Sequence, residues 1–259
     1  MAARVNVQSQ PERYWDRLFA PSSCLAIITS VNRHGDINAA AFGTCVRVLH
    51  SPVCIAFTTT RGNDTAENVL ETGEFVANLP PFVRAVLEKV MIVGLPFDRG
   101  INELQKAGLT AFPSTVVSPP RIEECPRHFE CKVEWTKEWS AGRLMVCGKL
   151  VAASVNADCV DAKGYVHWDR IKPAHYCGAP YQNAFVAAYE AMSVDTPYNG
   201  PERDAFEAHR LSMFEDIQPC FLAVEKKERM TAKSIAPSND RKPPEIFWRS
   251  FIMRPSRSA

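Results

Sequence analysis

Short apolar runs separated by turn residues fill the first two thirds of the chain. Residues 25–31 form an apolar run that predicts a strand. His34-Gly35-Asp36 follows as a turn, and residues 37–42 predict a second strand, rich in the small residues Asn38-Ala39-Ala40-Ala41. Residues 46–49 and Val53–Thr60 predict two more strands, divided by Ser51-Pro52. A short helix is expected over 64–72, opened by the capping-box spacing Asp64-x-x-Glu67 and ended by Gly73. Residues 74–79 predict a strand closed by Pro80-Pro81. Residues 81–93 read as a helix with Phe82, Val86 and Val90 on one side, and 101–107 as a shorter helix ended by Gly108.

Residues 128–135 alternate strictly. Phe129, Cys131, Val133 and Trp135 point one way, and His128, Glu130, Lys132 and Glu134 the other, the pattern of a half-buried antiparallel strand with its charged side in water. Residues 143–155 predict a long strand with a bend at Gly148. Many short strands and few helices point to a mainly β protein built on an antiparallel barrel. They exclude a doubly wound α/β sheet, and no G-x-G-x-x-G follows a strand, so a pyridine nucleotide would not sit in a Rossmann site. Beyond about residue 182 the character changes. Residues 183–192 and 202–214 are helical in pattern, 234–244 are polar and rich in breakers, and Arg254-Pro255-Ser256-Arg257-Ser258-Ala259 forms a polar tail. The division is thus a barrel domain over 1–182 and a partly helical extension over 183–259.

Composition narrows the function classes. Hydrophobic residues make up 46% and charged residues 23%, the balance of a globular protein in water. A net charge of +1 without a Lys/Arg block leaves no field for nucleic acid or a membrane surface. No apolar run reaches the ~18 residues of a membrane span. Residues 1–15 contain no apolar segment of the signal-peptide kind, so the cytoplasm is the expected compartment. The nine cysteines are odd in number, scattered, and never spaced C-x-x-C. Cys54, Cys131 and Cys147 fall at apolar strand positions and are expected to be reduced and buried. The reactivity of Cys45 stays open.

The chemistry concentrates at Phe57-Thr58-Thr59-Thr60-Arg61-Gly62-Asn63-Asp64-Thr65-Ala66-Glu67-Asn68. Here a strand passes through three hydroxyls, an arginine and a glycine into a helix N-terminus. Free amides and the positive end of the helix dipole leave that terminus. Arg61 adds a fork of donors, and Thr60 and Thr65 add hydroxyls. A phosphate monoester suits such a place; an ordinary capped helix beside a surface arginine is the alternative. His167-x-Asp169 with His175 lacks a further aligned ligand, so no metal is expected. No dyad or triad stands out, and no catalytic side chain is assigned.

In order along the chain, these pieces resemble the flavin reductase-like proteins with the FMN-binding split barrel, which include flavoredoxins and the reductase components of two-component monooxygenases. The resemblance rests on Pro21-x-x-Cys24-Leu25-Ala26-Ile27-Ile28-Thr29-Ser30 with Gly35-Asp36-Ile37-Asn38-Ala39-Ala40, and on Ser51-Pro52 before an apolar strand. It continues through Asp64-Thr65-x-x-Asn68 with Thr72-Gly73-Glu74-Phe75-Val76-x-Asn78, and through Ala107-Gly108-Leu109-Thr110, Cys131-x-Val133 and Gly148-Lys149-Leu150-Val151. It closes on Ile171-Lys172-Pro173-x-His175-x-x-Gly178-x-x-Tyr181.

The resemblance implies a six-stranded antiparallel split barrel with flanking helices, a homodimer, and one FMN per subunit near the interface. FMN would take hydride from NAD(P)H and pass electrons to free flavin, a small-molecule substrate, a monooxygenase partner or another acceptor. An electron carrier or sensor with little turnover, or a reductase of an organic substrate, are the alternatives. The phosphate would lie against Thr60, Arg61, Thr65 and the helix start, with Thr59 and Asn68 in the same set. Asn38, Ala39 and Ala40 would approach the flavin edge unless the alanines serve close strand packing, and Thr44 and Cys45 would lie beside the ring. The family's acidic-Lys-aromatic run is replaced by Asn102-Glu103-Leu104, leaving Arg99 as the substitute cation. Arg143 stands where relatives carry a histidine, and could favour reduced anionic flavin or be a strand-end arginine. His175 could meet flavin or nicotinamide, or be structural.

Overall fold

The structure, a computed structural model, describes residues 22–161, 166–178, 183–192 and 200–212. Ten strands and five α-helices occur among them: β1 (Ser23–Val31), β2 (Ile37–His50), β3 (Val53–Thr60), α1 (Asp64–Thr72), β4 (Glu74–Leu79), α2 (Arg84–Val93), α3 (Glu103–Ala107), β5 (Ala111–Phe112), β6 (Arg121–Ile122), β7 (Arg127–Ser140), β8 (Arg143–Val155), α4 (Trp168–Ile171), β9 (Ala174–Tyr176), β10 (Phe185–Ala187) and α5 (Pro201–Ser212). Strand order is β1-β2-β3-β8-β7-β4, and β4 returns to pair with β1. Every one of these pairings is antiparallel, so the six strands close a barrel. β9 and β10 add to the outer edge of β1.

Alternation along each strand sorts the side chains into two cores. Ala26, Ile28, Phe57, Phe75, Cys131 and Val146 fill the barrel, and α1 lays Ala66 and Val69 over one end. Phe57 meets Phe42 at 4.9 Å between ring centroids and Phe75 edge-on at 5.2 Å. On the other side of the β1–β2 pair, Leu25, Ile27 and Ala39 meet Leu87, Val90 and Val93 of α2 and Leu104 and Ala107 of α3.

The barrel, β3, α1, β4 and β8 follow the sequence expectation; several other elements differ. β2 is one strand, not two. Cys24 pairs with Cys45 and Ala26 with Phe42, so two steps of β1 span three of β2. That bulge absorbs Gly43-Thr44 without ending the strand. α2 starts at Arg84, not 81, because Pro81 bridges to Pro173 and the Phe82 N–H donates to Lys172 O at 2.6 Å. α3 starts at Glu103, where Asn102 caps it by accepting the Gln105 N–H at 3.2 Å. Residues expected as a helix over 183–192 instead contain β10, whose backbone pairs with β9. That strand carries the sheet past residue 182. The helix expected over 202–214 is present as α5, and its Phe206 is 64% exposed. Residues 213–214 of that expectation and the polar stretch over 234–244 lie outside the described residues.

Over 128–135 the polar side of β7 is in water only at Lys132 and Glu134; its first half is not. Glu130 is 1% and His128 3% exposed. The 113–122 loop covers them, because Glu130 supplies the acceptors that loop's backbone lacks. Its carboxylate takes the N–H groups of Thr115 (2.8 Å), Val116 (2.7 Å) and Val117 (3.3 Å), with Arg121 Nε 3.8 Å away. His128 contacts Ile122 O at 2.8 Å and Ser154 Oγ at 3.0 Å. Among the described residues no helix is long and apolar enough to cross a membrane.

Candidate functional site

The barrel opens where β2 and β3 part. Their ladder runs from His50↔Val53 to Val46↔Ala56 and stops. One step further, Thr44 bridges the gap with its side chain: its Oγ1 accepts the Thr58 N–H at 3.2 Å and meets Thr58 Oγ1 at 3.0 Å. Beyond that bridge β2 stays with β1 while β3 stays with β8. Asn38 then ties β2 to α1, its Nδ2 donating to Thr65 Oγ1 at 2.9 Å and to Ser30 Oγ at 3.1 Å, and Asn68 Nδ2 donates to the same serine at 3.3 Å.

Past the split, β3 runs into a charged corner. Thr60 lies opposite Arg143 in the β3–β8 register, and Arg143 Nη1 donates to Thr60 Oγ1 at 3.1 Å. The Arg61 N–H donates to Gly142 O at 2.8 Å, and Arg61 Nε donates to Glu138 Oε2 at 3.3 Å. Gly142, at φ 73°, turns the β7–β8 hairpin, and its N–H donates to the other Glu138 oxygen at 3.2 Å. Neighbouring chain positions thus bring two arginines to this corner, Arg143 on the Thr60 hydroxyl and Arg61 on the Glu138 carboxylate.

The start of α1 faces the same corner but is not capped as its spacing suggests. Asn63, not Asp64, is the N-cap, and its side chain makes no capping bond. Glu67 reaches back to the Gly62 N–H at 3.0 Å. Asp64 lies inside the first turn and pairs with Arg99 Nε at 3.3 Å, which places Arg99 beside the helix start.

The remaining candidates separate. Asn38, Thr65 and Asn68 are buried, and their side chains are engaged with one another and with Ser30. The Ala39 N–H is taken by Glu103 Oε2 at 2.9 Å and its methyl lies in the second core, so close packing accounts for that alanine. Ala40 pairs with Ile28 inside the sheet. Cys45 belongs to the barrel core, and burial, with smaller contributions from Cys24 and Cys131, pushes its thiol well above the ordinary value. Thr59 faces inward, 4% exposed, and its hydroxyl has no partner among the described residues. His175 pairs with Cys24 in the β9–β1 register and lies 3.5 Å from Ser22 Oγ. No contact among the described residues joins it to Thr60, Arg61 or Arg143.

Three residues escaped the sequence. Glu138 carried no signal in a charged strand. Glu103 occupies a backbone donor at the edge of the split. Tyr176 sits on Gly43 so closely that a Cβ there would lie 2.4 Å from its ring; a glycine inside an apolar strand was the available sign. All eight cysteines among the described residues are free. No group of three or more metal-ligating side chains occurs among the described residues.

The profile of the family described as "Flavin reductase like domain" matches residues 21–176. The chain belongs to that family. An uncharacterised protein of Halalkalibacterium halodurans is 34% identical over 190 residues, 70% of this chain and 88% of that one. The uncharacterised Bacillus subtilis protein YwrF is 31% identical over 160 residues, 58% and 77% of the two chains. Among solved structures, component B of nitrilotriacetate monooxygenase from Bacillus cereus superposes with a TM-score of 0.64 at 22% identity, covering 75% of this chain and 99% of that one. Flavoredoxin of Desulfovibrio vulgaris gives 0.61 at 20%, covering 69% and 93%. The family's split-barrel fold is thus this chain's fold.

Proposed function

We propose that the protein binds FMN and is a flavin reductase-type oxidoreductase. It takes an electron pair from NAD(P)H and delivers it to free flavin or another acceptor, a monooxygenase partner included. The placing of Thr60, Arg61 and Arg143 at one end of the β3–β8 pair, just before α1, carries this reading, because two guanidinium groups and a hydroxyl there suit one phosphate. The unpartnered Thr59 hydroxyl next in sequence also suits a site finished by a ligand. When bound, flavin supplies the hydride chemistry.

The chain's own residues would hold and orient. Arg61 and Arg143 bind the phosphate, and Arg99 neutralises Asp64 beside it. Thr44 keeps β2 and β3 at a set separation at the mouth of the split. Glu138 holds Arg61 in place and competes with the phosphate for it. Family membership, and the flavoredoxin and monooxygenase-component folds it resembles, support the electron-transfer role.

The absorbance spectrum of the purified protein and NADH oxidation with and without added FMN test this directly. The expected result is a bound-flavin spectrum and turnover stimulated by free FMN. A flavin spectrum with no stimulated turnover would make the protein an electron carrier instead. Arg61→Ala should weaken FMN by about 1.5–3 kcal/mol, the worth of a charge-assisted contact. Unchanged affinity would move the phosphate elsewhere.

A further inference from the structure

Of the eight cysteines among the described residues, two face each other across a ladder: Cys24 of β1 stands directly opposite Cys45 of β2. No other described cysteine has a cysteine for a ladder partner. Cys54 faces Leu49 and Lys149, Cys131 faces Phe75 and Leu150, and Cys147 faces Ala56 and Trp135. Directly opposed residues of an antiparallel pair put their side chains on one face, with Cα atoms roughly 4.5–5.5 Å apart. A disulfide spans about 4.4–6.8 Å between the same atoms. The ladder thus sets this pair at the separation a bridge needs. Both side chains share one environment, since Cys45 belongs to the barrel core and Cys24 packs against that core.

The two thiols are not equivalent. Cys24 is partly exposed, whereas Cys45 is 5% exposed. Burial raises the Cys24 thiol, and the Arg127 guanidinium draws it back toward ionising. Burial raises Cys45 well above the ordinary value, and the thiols of Cys24 and Cys131 push it further. The thiolate is the nucleophile, so Cys24 is the sulfur that reacts first and Cys45 the one that resolves it. The place in the fold gives the pair a consequence. Cys24↔Cys45 lies beyond the bulge that follows Ala26↔Phe42, and Thr44, whose side chain bridges β2 to β3, is the residue next to Cys45.

We propose that Cys24 and Cys45 are a site of reversible oxidation by a peroxide, which closes them to a disulfide and pins β2 to β1 beside the mouth of the split. The Cys24 sulfur attacks one peroxide oxygen. The O–O bond breaks, the other oxygen leaves as an alcohol, or as water from hydrogen peroxide, with the thiol proton, and Cys24 becomes a sulfenic acid. The Cys45 sulfur then attacks the Cys24 sulfur. An S–S bond forms, the S–O bond breaks, and the hydroxide leaves as water with the Cys45 proton. Two thiols have given up two electrons and two protons, and the peroxide has taken both. A dithiol reductant restores the pair by exchange. The site does not depend on the flavin assignment.

Hydrogen peroxide is the probe. The reduced, folded full-length protein is treated with it, remaining thiols are alkylated, and the digest is mapped by mass spectrometry without reduction. The expected result is a peptide joining Cys24 to Cys45 that disappears on treatment with dithiothreitol. Cys45→Ala should stop at the Cys24 sulfenic acid, trapped by dimedone, and Cys24→Ala should leave Cys45 unoxidised. The urea midpoint of the oxidised wild type should rise, because the bridge restricts the unfolded chain. Absence of any linked peptide overturns the proposal, as does a bridge from Cys45 to Cys131 in its place. Oxidation of Cys45 that persists in Cys24→Ala overturns the order of attack. A Cys24–Cys45 bridge that lowers the urea midpoint would show that the strands must part to form it, and overturns its assignment to the native ladder. Should either variant fail to fold, the wild-type linkage map and midpoint carry the test with the same outcomes.

Discussion

At Gly148 a Cβ would meet Phe75 Cε1 at 2.4 Å, its Cζ at 2.6 Å and Cys131 Cβ at 2.9 Å, all inside the barrel. None of these atoms is the free end of a flexible chain. Gly148→Ala should therefore destabilise by about 1–3 kcal/mol, the range for overpacked cores, seen as a lowered urea midpoint. The sequence marks Gly148 as a bend in a strand; it does not say what the glycine makes room for, because Phe75 arrives from β4, 73 residues earlier. Glu103 is a second buried special case. Burial raises its carboxyl above the ordinary 4.5, only partly offset by the Ala39 N–H it accepts. A raised value means the fold prefers the protonated acid. The stabilising term is complete below the unfolded value and is lost as pH rises through the folded one. Measured as the urea midpoint against pH, wild type should lose stability relative to Glu103→Gln as pH rises above 4.5. A pH-independent difference would show that Glu103 titrates as it does unfolded.

Elements whose signals are local were legible. β3 has no breaker from Val53 to Thr60, and α1 ends at a glycine in the left-handed conformation, φ 70°. Elements that depend on a distant partner were not. β10 is a strand because β9 offers it an edge, and its own residues pattern as a helix. Glu130 and His128 alternate like a wetted face, yet the 113–122 loop settles on them. The candidate site divides the same way. Thr60 and Arg61 were readable from one stretch of chain, whereas Glu138 joins only through the β7–β8 hairpin. The split itself rests on Thr44, which replaces the missing ladder bond at Thr58. Thr44→Val keeps the shape and removes the acceptor. The Thr58 amide should then exchange with solvent roughly tenfold faster, the equivalent of one lost hydrogen bond. Unaltered exchange would mean that β3 holds its position through β8 alone.

Across the whole molecule, one outward sheet face carries exposed apolar side chains at the ends of a row whose middle, Ala56 and Cys147, is buried. Val46, Ala56, Cys147 and Trp135 stand opposite one another in register, forming an apolar row over four strands. Val46 is 49% and Trp135 42% exposed, and Val48 and Trp139, also exposed, belong to the same two hairpins. A patch of this kind on a water-facing surface marks an association site. We propose that it joins two copies of the chain. Ala56, Thr58 and Thr60 alternate onto one face of β3, so a partner seated on the row would lie next to the Thr60–Arg143 corner. Light scattering should give twice 28.9 kDa at micromolar concentration. Trp135→Glu places a charge in the row at an exposed position, so it should return the mass to 28.9 kDa without unfolding the barrel. If the flavin site is completed by the partner, that monomer should also bind FMN more weakly, with Arg61 and Arg143 untouched. A Trp135→Glu protein that remains dimeric would remove this face as the interface. A monomer with unaltered FMN affinity would confine the flavin site to one subunit.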